Sequence, residues 1–191
     1  MAAMTLTDGT VCLISPLNGM QSVAPPAAAV SHLVAPNHYH HKGLAAFHAA
    51  HPRAQLCAPS AARPRLEKLT GLKIKTLTAL ARKLPAGISL LEPAGLKTGE
   101  MWIRFKTGTT IGWFVTDAFC GKTMSGSVQQ CNTPLLLGTF PSFGIADRQL
   151  YKDWLLSQIE HDKPKLIIPC HGSVITAPNL PAKLVKLIAP L

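Results

Sequence analysis

Three histidines within four positions, His38, His40 and His41, lie in the run Val34-Ala35-Pro36-Asn37-His38-Tyr39-His40-His41-Lys42-Gly43-Leu44. Imidazole is the commonest protein metal ligand and also transfers protons near neutral pH, so such a loop is suited to holding an ion or moving a proton. Near the other end of the chain, Lys165-Leu166-Ile167-Ile168-Pro169-Cys170-His171-Gly172 repeats the design: an apolar run, then a histidine, then a glycine. Between them, Gly112-Trp113-Phe114-Val115-Thr116-Asp117 is an apolar run ending in a carboxylate. Three apolar runs that each end in a ligand-type residue are more than composition predicts. A lone histidine at such a place is ordinarily a hydrogen-bonded surface or core residue, and His32, His48, His51 and His161 are assigned to that class. The chemistry rests on His38, His40, His41, Asp117 and His171 taken together.

The elements needed to position them can be read in order. Met4-Leu6 and Val11-Ile14 flank Asp8-Gly9, which predicts an opening hairpin with a two-residue turn. Pro25-Pro26-Ala-Ala-Ala-Val can begin a short helix, and His32-Ala35 reads as the strand that delivers the histidine loop. Leu44, Phe47 and Ala50 recur at helical spacing before Pro52. Gln55-Ala58 reads as a short strand, and one or two helical turns follow over residues 65–69. Residues 72–84 fit strand and helix equally well. Ile88-Leu91 reads as a strand, and residues 101–116 as a hairpin leading to Asp117. Residues 119–143, rich in Gly, Ser, Thr, Asn and Pro, predict a long loop, mobile and bordering the site. Residues 147–160 carry the clearest helical pattern, with Tyr151, Leu155 and Ile159 stacked at i, i+4 and i+8. A buried strand over 166–168 and a last helix from Leu180 to Ile188, capped by Asn179, complete the chain. Strand and helix alternate at both ends, which favours a layered α/β domain.

At 191 residues with 47% apolar content, the chain predicts one domain, 1–191, able to bury a substantial core. No apolar run approaches bilayer-spanning length, and the first residues lack a basic segment followed by a hydrophobic one, so a soluble cytoplasmic protein is expected. Five cysteines, odd in number and without a Cys-x-x-Cys pair, predict neither a disulfide framework nor a thiolate zinc site. The net charge is +10, and residues 63–106 hold ten of the nineteen Lys and Arg residues against Glu67, Glu92 and Glu100. That segment attracts anions or serves as a solvated basic face. Its only aromatics, Trp102 and Phe105, flank Arg104 at one end rather than alternating with the cations, which argues against a single-strand nucleic-acid platform.

The order of these parts resembles the metallo-β-lactamase superfamily, in particular a compact branch with an Ala-Pro-Asn…His-His loop. The resemblance covers essentially the whole chain and implies a four-layer αββα sandwich with metal at one edge of two β-sheets. Family members hold two metals with a His-x-His-x-Asp-His loop, a middle histidine, a bridging aspartate and a final histidine. With Gly43-Leu44 as the helix start, His41 falls on the loop's last histidine, His40 on its aspartate and His38 on its second histidine. Pro36 then takes the place of the first. Asp117 matches the bridging aspartate and His171 the final histidine. The middle histidine is missing, because no histidine lies between His51 and His161. One metal position therefore keeps at most His38, whereas the other keeps His40, His41, Asp117 and His171.

The resemblance thus implies one divalent metal ion per chain. Nitrogen and oxygen ligands suit zinc first, and also iron or manganese. The activity expected is hydrolysis of an anionic small-molecule substrate by a metal-activated water, with Asp117 as a ligand or as the group that orients the water. The alternative is a non-catalytic binding or regulatory protein with a vestigial metal site, and nucleic-acid binding is the weakest reading.

Overall fold

The computed structural model describes residues 1–122 and 130–191, which form a mixed α/β protein. The chain divides into two compact units, residues 1–86 with 98–100, and residues 87–97 with 101–191.

In the first unit, β1 (Ala2–Thr5) and β2 (Val11–Ile14) form the expected hairpin, with Thr5 opposite Val11. Its turn is one residue longer than the Asp8-Gly9 dipeptide predicts. Leu6 N bonds Thr10 O at 2.8 Å, Gly9 takes φ +78°, and Asp8 Oδ1 accepts from both the amide and the hydroxyl of Thr10. This is the three-residue turn with a left-handed glycine, selected by the Asp side chain. Strands β3 (Val30–Val34) and β4 (Gln55–Cys57) run parallel to β2, giving the order β1-β2-β3-β4.

Helix α1 (Leu44–Ala50) connects β3 to β4 and buries Leu44 and Phe47. The helix expected after Pro25-Pro26 does not form. A 3-10 turn over Gln21–Val23 precedes it, and a single turn closes with Ala29 N on Pro26 O at 2.8 Å. So short a stretch before β3 cannot repay helix nucleation. Helix α2 (Arg63–Thr70) starts earlier than expected, with Pro64 in its first turn, and stops at Gly71 with φ +69°. The ambiguous segment divides: Lys75 bridges to Cys57 at the edge of β4, and α3 (Thr78–Ala81) follows. Leu13, Leu33, Phe47, Leu56, Leu66 and Ile74 form the core of this unit. Burial pushes the Cys12 thiol up to about 12 and the Cys57 thiol up to about 11, so both pack protonated, as small hydrophobes.

The second unit contains β5 (Ile88–Leu91), β6 (Trp102–Thr107), β7 (Thr110–Val115), β8 (Phe119–Gly121), β9 (Gln130–Cys131) and β10 (Pro134–Leu136). These are followed by α4 (Phe140–Phe143), α5 (Arg148–Asp162), β11 (Leu166–Pro169), β12 (Val174–Thr176) and α6 (Leu180–Ile188). Six strands form one sheet in the order β5-β6-β7-β11-β12-β9, and β8 pairs with β10. The long loop expected over residues 119–143 is therefore interrupted by three short strands and a helical turn, with Phe119 opposite Leu136. Part of the stretch expected to be mobile and to border the site, residues 123–129, lies outside the described residues.

Helix α5 is capped by Asp147, whose Oδ1 accepts from Leu150 N at 2.9 Å, and buries Tyr151, Leu155 and Ile159 as its periodicity predicts. Asn179 precedes α6 without a side-chain capping bond. Trp102, Trp113, Phe119, Tyr151, Leu155 and Leu184 anchor the second core. No helix among the described residues is long and apolar enough to cross a membrane.

Candidate metal centre

Strands β7 and β11 are parallel neighbours, and their last paired residues are Val115 and Pro169. Asp117 and His171 each lie two residues beyond that pair, and equal offsets on adjacent parallel strands bring side chains together. The place is the C-terminal edge of a sheet, where α/β proteins bind ligands. His171 Nε2 donates to Asp117 Oδ1 at 3.0 Å, with the histidine side chain 46% exposed and the aspartate 14%. The backbone beneath is tightly held. Cys170 N bonds Val115 O at 3.0 Å, and Gly121 N bonds the His171 carbonyl at 3.3 Å. Gly172 takes φ +78°, and a Cβ there would strike the Gly121 carbonyl, while a Cβ on Gly121 would strike Ser173. Glycine at both positions is what lets β8 approach the His171 turn so closely.

The histidine loop belongs to the first unit and follows β3. Asn37 is fully buried, and its Oδ1 accepts from Tyr39 N at 2.8 Å and His40 N at 3.1 Å. This Asx turn fixes the start of the loop. His38 is 6% exposed, packs edge-on against Tyr39 at 4.3 Å between ring centroids, and donates its amide to Thr98 O at 3.3 Å. His40 Nδ1 lies 2.6 Å from Ser15 Oγ. His41 Nδ1 donates to the His38 carbonyl at 3.0 Å. Ser15 is buried just past β2, with φ +53° and its amide on Val34 O at 2.9 Å. A serine in the left-handed region is uncommon, and here it is tied to the His40 ring. Gly43, which begins the helix, has no room for a side chain against the Pro16 carbonyl.

The sequence therefore brings Asp117 and His171 into contact, and it holds His38, His40 and His41 on one ordered loop. Ser15 and Asn37 are the residues that motif reasoning left without a role. The Asx-turn habit of asparagine could have marked Asn37, whereas nothing in Ile14-Ser15-Pro16 pointed to Ser15.

These groups fit a metal. When one imidazole nitrogen is occupied by a hydroxyl or carbonyl, the ring is oriented and the other nitrogen is presented, the arrangement common around metal-bound histidines. His40 and His41 both have Nδ1 engaged in this way. The 3.0 Å between His171 Nε2 and Asp117 Oδ1 is near the roughly 3.3 Å that separates two ligand atoms on a tetrahedral ion with bonds of about 2 Å.

No family model and no curated relative matches the sequence. Solved structures do. A metal-soaked flavodiiron core from Synechocystis sp. PCC6803 is similar over 97% of this chain and 51% of its own, at 12% identity and a TM-score of 0.64. A metallo-β-lactamase from Hirschia baltica is similar over 94% of this chain and 80% of its own, at 10% identity and a TM-score of 0.59. Another, from Pontibacter korlensis, covers 99% and 86%, at 11% identity and a TM-score of 0.53. The chain spans about half the length of the flavodiiron structures it resembles. Proteins of so little sequence identity share a backbone plan, and the plan common to them and to this chain is the metallo-β-lactamase fold.

Proposed function

We propose that the protein, acting as one metallo-β-lactamase-like domain over residues 1–191, is a metal-dependent hydrolase of a small anionic substrate. The observation that carries this reading is the Asp117–His171 pair, set at equal offsets on parallel strand ends. His40 and His41 complete the ligand set, each through Nε2, and one divalent ion, zinc before iron or manganese, is bound per chain. His38 lies outside this set. When bound, the ion supplies the Lewis acidity that polarises a scissile carbonyl or phosphoryl oxygen and acidifies water. Asp117 would serve as a ligand or would orient the attacking water. Ser15 orients the His40 ring, and the His38 carbonyl fixes the tautomer of His41.

The net charge of +10 favours capture of an anionic substrate, at a rate that falls as salt rises. Five cysteines free of disulfides suit a reducing compartment, in keeping with a cytoplasmic protein. One observation favours a second reading, a non-catalytic binding or regulatory protein. His40 stands where the family has an aspartate, and the middle histidine is missing.

Elemental analysis of protein purified from metal-supplemented medium tests the proposal. About one ion per chain is expected, because tight sites use three or four protein ligands. His171→Ala or His41→Ala should abolish binding, and His38→Ala should weaken it less. Two tightly bound ions would overturn the ligand assignment. No metal, or no turnover of ester, thioester and phosphoester panels by the loaded protein, would leave the non-catalytic reading.

A further inference from the structure

Away from the histidine loop, the first unit contains a cavity of about 360 Å³ lined by His48, Arg53, Gln55, Lys73 and Lys75 with two apolar residues. That volume lies within the range of small-molecule sites. Three of its lining residues are cations and none is acidic. The two lysines are placed by the backbone. Ile74 is buried, and its carbonyl accepts from Arg63 Nε at 2.8 Å while its amide donates to Glu67 Oε1 at 3.0 Å. Side chains alternate along an extended segment, so Lys73 and Lys75 emerge on the side opposite Ile74. Lys75 is also strapped to the edge of β4, its amide on Leu56 O at 2.8 Å and its carbonyl on Ala58 N at 3.0 Å. Glu67, the acid nearest in sequence, is already engaged by Ile74 and by Arg63. Two further lining residues carry buried polar atoms with no hydrogen-bond partner, Nδ1 of His48 and Oε1 of Gln55. A buried polar atom left unsatisfied is costly, so the Gln55 oxygen calls for a donor and the His48 nitrogen for a donor or an acceptor according to its tautomer.

We propose that this cavity binds a phosphate monoester of a small polyol or sugar, with Arg53, Lys73 and Lys75 on the phosphate and His48 and Gln55 on the hydroxyls. Three cations match a dianionic phosphate better than a single carboxylate. A hydroxyl both donates and accepts, so sugar hydroxyls can satisfy the Gln55 oxygen and either tautomer of His48, and inorganic phosphate has fewer hydroxyls to offer. No aromatic side chain lines the cavity, so it offers a nucleobase no stacking surface. The site is distinct from the proposed metal ligands and does not rest on them.

Isothermal titration of metal-free protein with ribose 5-phosphate, ribose, inorganic phosphate and a short single-stranded oligonucleotide tests this. Ribose 5-phosphate should bind at least about tenfold more tightly than inorganic phosphate, since a gain of about 1.4 kcal/mol is tenfold, and ribose should not bind. Lys73→Ala/Lys75→Ala should weaken ribose 5-phosphate by at least about tenfold. Both positions are exposed, so folding should be unaffected. Gln55→Leu should remove the advantage of ribose 5-phosphate over inorganic phosphate, and His171→Ala should bind it like the parent protein. Equal affinity for the two phosphates, an unaffected lysine double variant, or binding of the oligonucleotide alone would overturn the proposal.

Discussion

Asp162 and Asp117 both stand at the ends of elements in the second unit, and their surroundings differ in kind. The Asp162 side chain is inaccessible to solvent. Its Oδ1 accepts from Arg104 Nε at 2.6 Å, and its Oδ2 accepts from Trp113 Nε1 and Gln158 Nε2, each at 2.7 Å. Arg104 and Trp113 face one another across β6 and β7, so the carboxylate joins two strands to α5. Asp117 sits instead at a sheet edge with a half-exposed histidine as its neighbour. A charge saturated by rigid donors inside a core does structural work, whereas the role proposed for Asp117 draws on a charge held at the rim. The contrast means that the conspicuous buried ion pair is not the place to look for function.

The comparison can be broken most severely at Asp162. Asp162→Ala strands Arg104 and should cost about 3–5 kcal/mol, the range for removing one partner of a buried pair, as read by urea unfolding. Metal content per folded molecule should not change. A loss below about 1 kcal/mol, the range of an exposed pair, would erase the distinction. The pH dependence has a definite sign. Burial pushes the Asp162 carboxyl up, but the hydrogen bonds from Arg104, Trp113 and Gln158 outweigh it and hold it below its ordinary value. Its contribution is therefore present above the unfolded value of about 3.9 and is lost as pH falls through the lower folded one. The stability gap between the parent and Asp162→Asn should narrow on acidification through that window; a constant gap would refute the linkage.

Gly172→Ala should cost about 1–3 kcal/mol, as overpacking does, and should also weaken metal binding by displacing His171. A variant with parent stability would show that the turn yields easily. The smallest effect on folding is expected at the rim. Asp117→Asn should shift the unfolding free energy of metal-free protein by less than about 1 kcal/mol, as for an exposed pair, while metal uptake is lost. A large destabilisation there would place Asp117 with Asp162.

Much of this contrast could be read from the sequence on one side only. Strands β7 and β11 were legible because each is a short apolar run bounded by polar residues, and Asp117 and His171 were legible because they follow those runs. The period of α5 was plain through Tyr151, Leu155 and Ile159. The strands β8, β10 and β12 were not, since three residues carry no period and their pairing is decided by distant partners. The Asp162 network was invisible for the same reason: its partners Arg104 and Trp113 lie 58 and 49 residues away. Ser15 escaped because its role depends on β2 lying beside β3, which nothing around Ser15 reveals. The Pro25-Pro26 stretch misled because helix-compatible residues were too few to nucleate.

The strap that carries Lys75 across β4 has a consequence for how copies of this chain meet one another. Strand β4 closes one margin of its sheet, and such a margin offers unpaired amides and carbonyls to any passing strand. Here the Leu56 carbonyl and the Ala58 amide are already taken by the Lys75 backbone. The margin is occupied by the chain itself, with a lysine at the point of contact. Strand addition at these two positions of β4 is thereby blocked sterically, and the lysine beside them would repel a second basic chain.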